Sequence, residues 1–162
     1  MLGNFMGRMG SGQRVVDRSN SHIHPGVLSL ISEVLRKIHF YGEIDAIQVD
    51  FENVVGNSIR VSTSTEDEII YAMRPSSKGR GLTRFVKNRE PRPSKSVTVI
   101  LMKAKWADNL YVLISAFIGE KPEPEPWDPH ATAQSVSFWN HNALVWGSEE
   151  IIPGTETTVC PW

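Results

Sequence analysis

Apolar residues change their spacing near residue 43, and this change predicts where helix gives way to strand. Between Pro25 and Ile38 they recur every three or four positions, as in an amphipathic helix of about 13 residues. From Asp45 to Phe51 they alternate with polar residues, which is typical of a half-buried strand. The pattern therefore predicts an N-terminal helix followed by β-structure.

Three later segments predict strands that follow one another closely, at residues 83–89, 97–102 and 111–118. Short polar connections separate them, which favours an antiparallel meander. On strand 111–118 we expect Tyr111, Leu113, Ser115 and Phe117 to share one face. Residues 69–73 fit a strand or a short helix equally well.

The last third of the chain predicts an extended crossing and a second helix. The segment 122–126 has too much proline for a helix or a central strand. Asp128 and Pro129 then suit the start of a helix that runs to about Asn142.

The predicted fold class is α+β, an antiparallel four- to six-stranded meander sheet with an N-terminal amphipathic helix and a C-terminal helix packed on it. Residues 1–22 show no period and are predicted to be a flexible N-terminal arm, and residues 23–162 a single α+β domain.

Composition narrows the function classes. A net charge of −1 over 162 residues excludes a protein that coats nucleic acid through bulk charge. The single cysteine, Cys160, excludes an internal disulfide and a multi-cysteine zinc site. No apolar run approaches the roughly 18 residues of a membrane span. We therefore expect no membrane association, and a cytoplasmic protein or one delivered to the cytoplasm of a target cell.

One stretch departs from this neutral balance. Eight of the 17 Lys and Arg residues fall between Arg74 and Lys95, against one acid, Glu90. Such a concentration is expected of a patch that binds an anionic partner. It is equally expected of a solvated loop and an edge strand whose charges prevent pairing with other chains.

Histidines and one serine supply the candidate chemistry. Ser115 is the one aliphatic hydroxyl in an otherwise apolar strand, and it either satisfies a backbone group or faces a cleft. Five histidines occur, but none has the spacing of a His-Glu-x-x-His zinc motif. His22 and His24 precede the first predicted helix, and His141 lies near the end of the second, where it also suits the helix dipole. We expect Arg84 to lie beside Ser115, since a guanidinium on a buried strand needs a polar companion.

These residues suit metal-independent RNA cleavage better than the other reactions we considered. Gly-x-Ser-x-Gly, P-loop and Gly-x-Gly-x-x-Gly motifs are absent from the sequence. Cleavage of RNA by its own 2′-hydroxyl needs a base, an acid and donors around the phosphate oxygens. Imidazoles, a hydroxyl and a basic strand can supply all three.

The strand series also carries a family resemblance. Residues 84–89, 97–101 and 111–119, and above all Leu113-Ile-Ser-Ala-Phe-Ile-Gly119, resemble the sheet of the barnase, EndoU, colicin and RelE-like ribonuclease toxins of polymorphic-toxin and phage-associated systems. The resemblance implies a metal-independent endoribonuclease without a cofactor, with RNA as substrate and an immunity or antitoxin protein as partner. It implies that the catalytic residues are Ser115, His141, His24 and Arg84. It also implies that Lys87, Arg89 and Arg80 bind the substrate. His22 remains an alternative to His24.

A second hypothesis comes from a different class. Trp106, Trp127 and Trp162 and the acidic proline crossing could hold a protein partner. The chain would then be a non-catalytic phage or accessory protein-binding module on the same scaffold.

Overall fold

A computed structural model describes residues 3–162, so the first two residues of the predicted arm lie outside it. The described chain has twelve strands in three sheets and only two short α-helices. It is mostly β-structure, and the predicted α+β class with one meander sheet is wrong. The chain forms two units, residues 3–57 with 93–121 and residues 58–92 with 122–162.

The first unit is built on one sheet. Its strands run in the spatial order β1-β2-β11-β10-β4, and β3 also pairs with β11. Their bounds are β1 Phe5–Arg8, β2 Arg14–Val16, β3 His22–Ile23, β4 Ile44–Asp50, β10 Ser96–Lys103 and β11 Leu110–Ile118. The segment 1–22, predicted as a flexible arm, thus contributes β1, β2 and the first residue of β3. A separate ribbon pairs β5 (Gly56–Ser58) with β9 (Arg92–Ser94).

The predicted N-terminal amphipathic helix is not present. A 3-10 helix covers Pro25–Leu30, and only the six residues Ile31–Arg36 form an α-helix, α1. The carbonyls of Leu35 and Ile38 accept hydrogen bonds from the backbone N–H groups of Gly10 and Ser11. The turn between β1 and β2 therefore occupies the end of the helix, a constraint that periodicity does not reveal.

Most apolar residues of this segment, Leu28 excepted, nevertheless face the interior. They join strand residues in what we call the main core. The main core consists of Met9, Val15, Val27, Ile31, Val34, Leu35, Ile38, Val49, Val97, Val99, Leu101, Tyr111, Leu113, Ala116 and Ile118. We call the opposite face of the first sheet the outward face.

A register shift in β11 decides which side chains reach the outward face. Ile100 of β10 pairs with Ser115 and Leu101 pairs with Leu113, so Ile114 is an extra residue, as in a β-bulge. Leu113 and Ala116 both pack in the main core although they are three residues apart. The expectation that Leu113 and Ser115 share a face is therefore wrong, because the bulge turns Ser115 and Phe117 outward.

The second unit has its own four-stranded sheet, in the order β6-β12-β8-β7. The bounds are β6 Arg60–Ser62, β7 Ile69–Ala72, β8 Thr83–Val86 and β12 Asn142–Val145. A 3-10 helix spans Pro75–Ser77. Val61, Val86, Ala143 and Val145 form one small core, and Ala72, Phe85, Trp139 and Leu144 form another.

Two predictions fail in this sheet. Strand β8 pairs with β7 and β12 and not with β10, so the three consecutive strands do not form a meander. The second α-helix, α2, covers Ala133–His141 and begins at Thr132, whose hydroxyl accepts a hydrogen bond from Gln134 N–H. The helix therefore begins later than the expected start at Asp128 and Pro129, but it ends one residue before the expected Asn142, where β12 begins and pairs with strands on both sides.

Two leucines from the predicted helix test this packing. Leu35 is fully buried, whereas Leu28 is 53% exposed. Leu35→Ala should lower the free energy of unfolding by about 2–5 kcal/mol because it leaves a cavity in the main core. Leu28→Ala, the matched control, should change it by less than about 0.5 kcal/mol. Urea unfolding of both variants measures the difference, and equal effects would contradict the described packing.

Candidate active site on the first sheet

Strand β3 brings a histidine next to Ser115. It pairs in parallel with β11, with His22 in register with Ser115 and Ile23 in register with Ala116. Ile23 and Ala116 face the main core. Since side chains alternate along a strand, His22 and Ser115 are neighbours on the outward face.

Hydrogen bonds hold this histidine segment against β11 on both sides. Before it, the Ser21 hydroxyl donates to the Leu113 carbonyl at 2.6 Å. After it, the backbone N–H of His24 donates to the Ala116 carbonyl at 2.9 Å. The backbone of His22 is therefore anchored by its neighbours in the chain.

His24 also has a structural contact. Its Nδ1 accepts a hydrogen bond from the backbone N–H of Gly26 at 3.4 Å, at the start of the 3-10 helix. A ring nitrogen that accepts carries no proton, so the neutral imidazole has its proton on Nε2. This nitrogen can donate to an oxygen.

The outward face also carries an aromatic ring and an acid. Phe117 lies opposite Thr98 in the register. Farther along, the Asp50 carboxylate accepts hydrogen bonds from Gln48 Nε2 at 2.8 Å and from the Ser96 hydroxyl at 2.6 Å. These two bonds lower the pKa of Asp50 below its usual value. Asp50 thus stays charged, and its Oδ1 already accepts two hydrogen bonds.

Arg84 lies in the second unit, on β8, so it is in a different sheet from Ser115. This differs from the expectation that they occupy neighbouring strands. Its Nη1 donates to the Thr63 hydroxyl at 2.7 Å and to the Asn142 carbonyl at 3.1 Å. Both acceptors are neutral, and no carboxylate within the described residues pairs with Arg84. The half-buried guanidinium thus keeps its positive charge unbalanced locally.

Tyr71 is the titratable neighbour of Arg84. Burial and the adjacent Cys160 thiol raise the pKa of Tyr71, whereas Arg84 acts to lower it. The ring also meets Trp162 edge-on, with 5.4 Å between the ring centroids. Sequence reasoning missed Tyr71, since one tyrosine in an apolar strand carries no distinguishing signal.

His141 is exposed at the end of α2, and its Nδ1 donates to the Ser137 carbonyl at 2.9 Å. Its own carbonyl accepts from Thr63 N–H at 2.8 Å. Thr63 therefore links the segments of His141 and Arg84. The side-chain bond belongs to the helix end, as expected for a C-terminal histidine.

The basic stretch is balanced inside the second unit. That unit has eight Lys and Arg residues against ten Asp and Glu, a net charge of −2. Arg89 pairs with Asp67 at 3.3 Å, and Lys87 lies 5.8 Å from the centre of the Trp146 ring. Arg80 is exposed. The stretch is thus less available to an anionic partner than its sequence indicates.

The proline crossing is a structural element of the second unit. Glu125 is buried and forms an ion pair with Arg74, while the Glu123 carbonyl accepts from Trp139 Nε1 at 2.9 Å. Trp127 packs so closely on Gly81 that a Cβ there would lie 2.2 Å from the Trp127 Cβ. These contacts explain why acids and tryptophans accompany the prolines.

The Tyr71 environment can be tested by titration. Arg84→Met removes the hydrogen bond and the positive charge that favour the phenolate, so it should raise the pKa of Tyr71 further. The folded state should then lose stability as the pH rises above about 10, because the unfolded phenol ionises first. Phenolate absorbance measures the shift, Tyr71→Phe identifies the signal, and Arg80→Met is the control that should leave it unchanged. A lower pKa in Arg84→Met would contradict the described contact.

Three further findings concern the chain as a whole. No group of three or more His, Cys, Asp or Glu side chains among residues 3–162 is placed to hold a metal ion. Over the same residues, no helix has the length and apolar character to cross a bilayer. In comparisons with known proteins, no family model, no curated protein and no solved structure matches this chain.

Proposed function

We propose that this protein is a metal-independent endoribonuclease of toxin type, with His22, His24 and Ser115 as its catalytic residues. The observation that carries the proposal is the parallel pairing of β3 with β11, which puts His22 in register with Ser115 on the outward face. His24 follows two residues later in the same segment, and two imidazoles and a hydroxyl can supply the proton transfers and the donor that RNA transphosphorylation needs.

The reaction assigns a role to each side chain. His22, as the neutral imidazole, takes the proton of the ribose 2′-hydroxyl, and that oxygen attacks the adjacent phosphorus. The bond from phosphorus to the 5′-oxygen breaks, and the departing oxygen takes a proton from the imidazolium of His22, which returns to its neutral form, while Nε2–H of His24 donates a hydrogen bond to that oxygen. The Ser115 hydroxyl donates to a non-bridging oxygen as charge develops there. The products are a 2′,3′-cyclic phosphate and a 5′-hydroxyl, so protons and electrons balance.

This assignment replaces His141 by His22. His141 lies in the other unit, where its Nδ1 proton is used in a bond to the Ser137 carbonyl. Arg84, Arg80 and Lys87 belong to that unit too, and the proposed chemistry does not pass through them.

The proposed activity also sets the context. RNA is the substrate, so the enzyme acts in a cytoplasm, either of the cell that makes it or of a cell to which it is delivered. A producing cell would need an immunity or antitoxin protein as partner, because the enzyme would otherwise degrade the cell's own RNA.

The alternative is a non-catalytic phage or accessory protein-binding module. Two of the three tryptophans proposed to hold its partner pack within the chain. Trp127 packs on Gly81, and Trp162 donates to Asn140 and contacts Tyr71. Trp106 is 49% exposed, with the Arg18 guanidinium 4.8 Å from its ring centre. A docking role would therefore depend on the surface around Trp106.

Cleavage of RNA in excess EDTA tests the proposal. The wild-type chain should produce 2′,3′-cyclic phosphate ends, and His22→Asn should lower the rate by about 10²–10⁴-fold, as expected for loss of a general base. Ser115→Ala should also lower the rate, by about 10-fold or more, because it removes a donor to the phosphate.

Two controls separate the proposed site from other histidines. His130→Asn and His141→Asn should retain most of the activity, since both residues lie in the second unit. Thermal unfolding of each variant shows whether the fold is intact. RNA that stays intact with the wild-type chain under all conditions, or a rate that depends on His141 and not on His22, would overturn the proposal.

A further inference from the structure

Phe117 is an aromatic residue that the cores do not explain. It is half-buried on the outward face, and it belongs to none of the four clusters of buried apolar residues. Among the described residues, its ring takes part in no aromatic pair and no cation–π contact. A partly exposed phenyl ring outside these clusters still presents some of its surface to a ligand.

Its position relates it to the proposed catalytic residues. Phe117 follows Ser115 by two residues on β11, beyond the bulge, so both side chains point to the outward face. Residues two apart on a strand are separated by about 6.7 Å. A flat apolar ring thus lies one nucleotide-sized step from the hydroxyl assigned to the phosphate.

We infer that Phe117 is a base-stacking residue and that the substrate of this site is single-stranded RNA. The base next to the cleaved phosphate lies on the Phe117 ring. This inference rests on the proposed function, and it adds the form of RNA that the site accepts.

The physical reason is the accessibility of the base face. Bases in a duplex stack on one another and present only their edges, so a side-chain ring can stack only on an unpaired base. Stacking on an aromatic ring needs no hydrogen bonds to the base, which makes it tolerant of sequence. The site would therefore select unpaired RNA without a strong base preference.

The experiment measures binding apart from cleavage, in the His22→Asn background. The probe is a short single-stranded RNA with 2-aminopurine, whose fluorescence is quenched by stacking. Phe117→Leu should weaken its binding by about 5- to 150-fold, the usual effect of losing one stacked base, and should abolish the quenching. Phe117→Trp should keep both. A duplex of the same sequence should bind weakly, with the same affinity for the parent and Phe117→Leu.

A matched control is available in β1. Phe5 is 54% exposed on β1, where it pairs with Val16 of β2 and not with β11, and the Arg14 guanidinium lies 5.2 Å from its ring centre. Phe5→Leu should leave both binding and quenching unchanged. Thermal unfolding of Phe117→Leu should match that of the parent, since Phe117 is part of no core.

The outcomes separate this inference from the proposed function. If the wild-type chain cleaves RNA but Phe117→Leu binds and quenches like the parent, stacking is wrong and the nuclease assignment stands. Equal weakening of single-stranded and duplex RNA would also overturn it, because the change would then act on the fold. If the parent binds no RNA and the wild-type chain cleaves none, both fall together.

Discussion

The extra residue at Ile114 is the constraint on which the proposed site depends. Without it, strict alternation would direct Ser115 and Phe117 into the main core with Leu113. A hydroxyl there would need a partner within hydrocarbon, at a cost of about 1–3 kcal/mol if it found none. With the bulge, Ala116 and Ile118 fill the core instead, and the polar residue reaches the outward face. The bulge at Ile114 thus allows both the packing of the main core and the outward position of Ser115.

The second constraint on the proposed site is the position of the segment that precedes the first 3-10 helix. The segment 14–24 adds β2 and β3 to one side of β11 while β10 occupies the other. A central strand with both edges paired is rigid, which suits catalytic residues that must hold their geometry. The same segment carries both proposed histidines, so the site assembles as the sheet assembles.

The second unit shows how misleading local charge can be. Its basic stretch is offset by the segment 122–162, which contains six acids and no Lys or Arg. One of those acids, Glu125, pairs with Arg74 in a mostly buried contact, where removing either partner would leave an uncompensated charge. Arg84 is the exception, since only neutral groups accept its hydrogen bonds. A count of basic residues along the chain cannot separate these two cases.

The periodicity of the sequence by itself predicted many of the buried apolar positions and several of the strands. It predicted β4 and β10 and the burial of Val27, Val34 and Ile38, because these depend on the local alternation of side chains. Residue type and position in the sequence also identified Ser115, His22 and His24 as candidate catalytic residues. Tertiary structure alone decided the end of α1, the departure of β8 to a second sheet and the pairing of His22 with Ser115. Each of these depends on a hydrogen-bond partner distant in sequence, and local periodicity carries no information about which distant strand or turn will supply it.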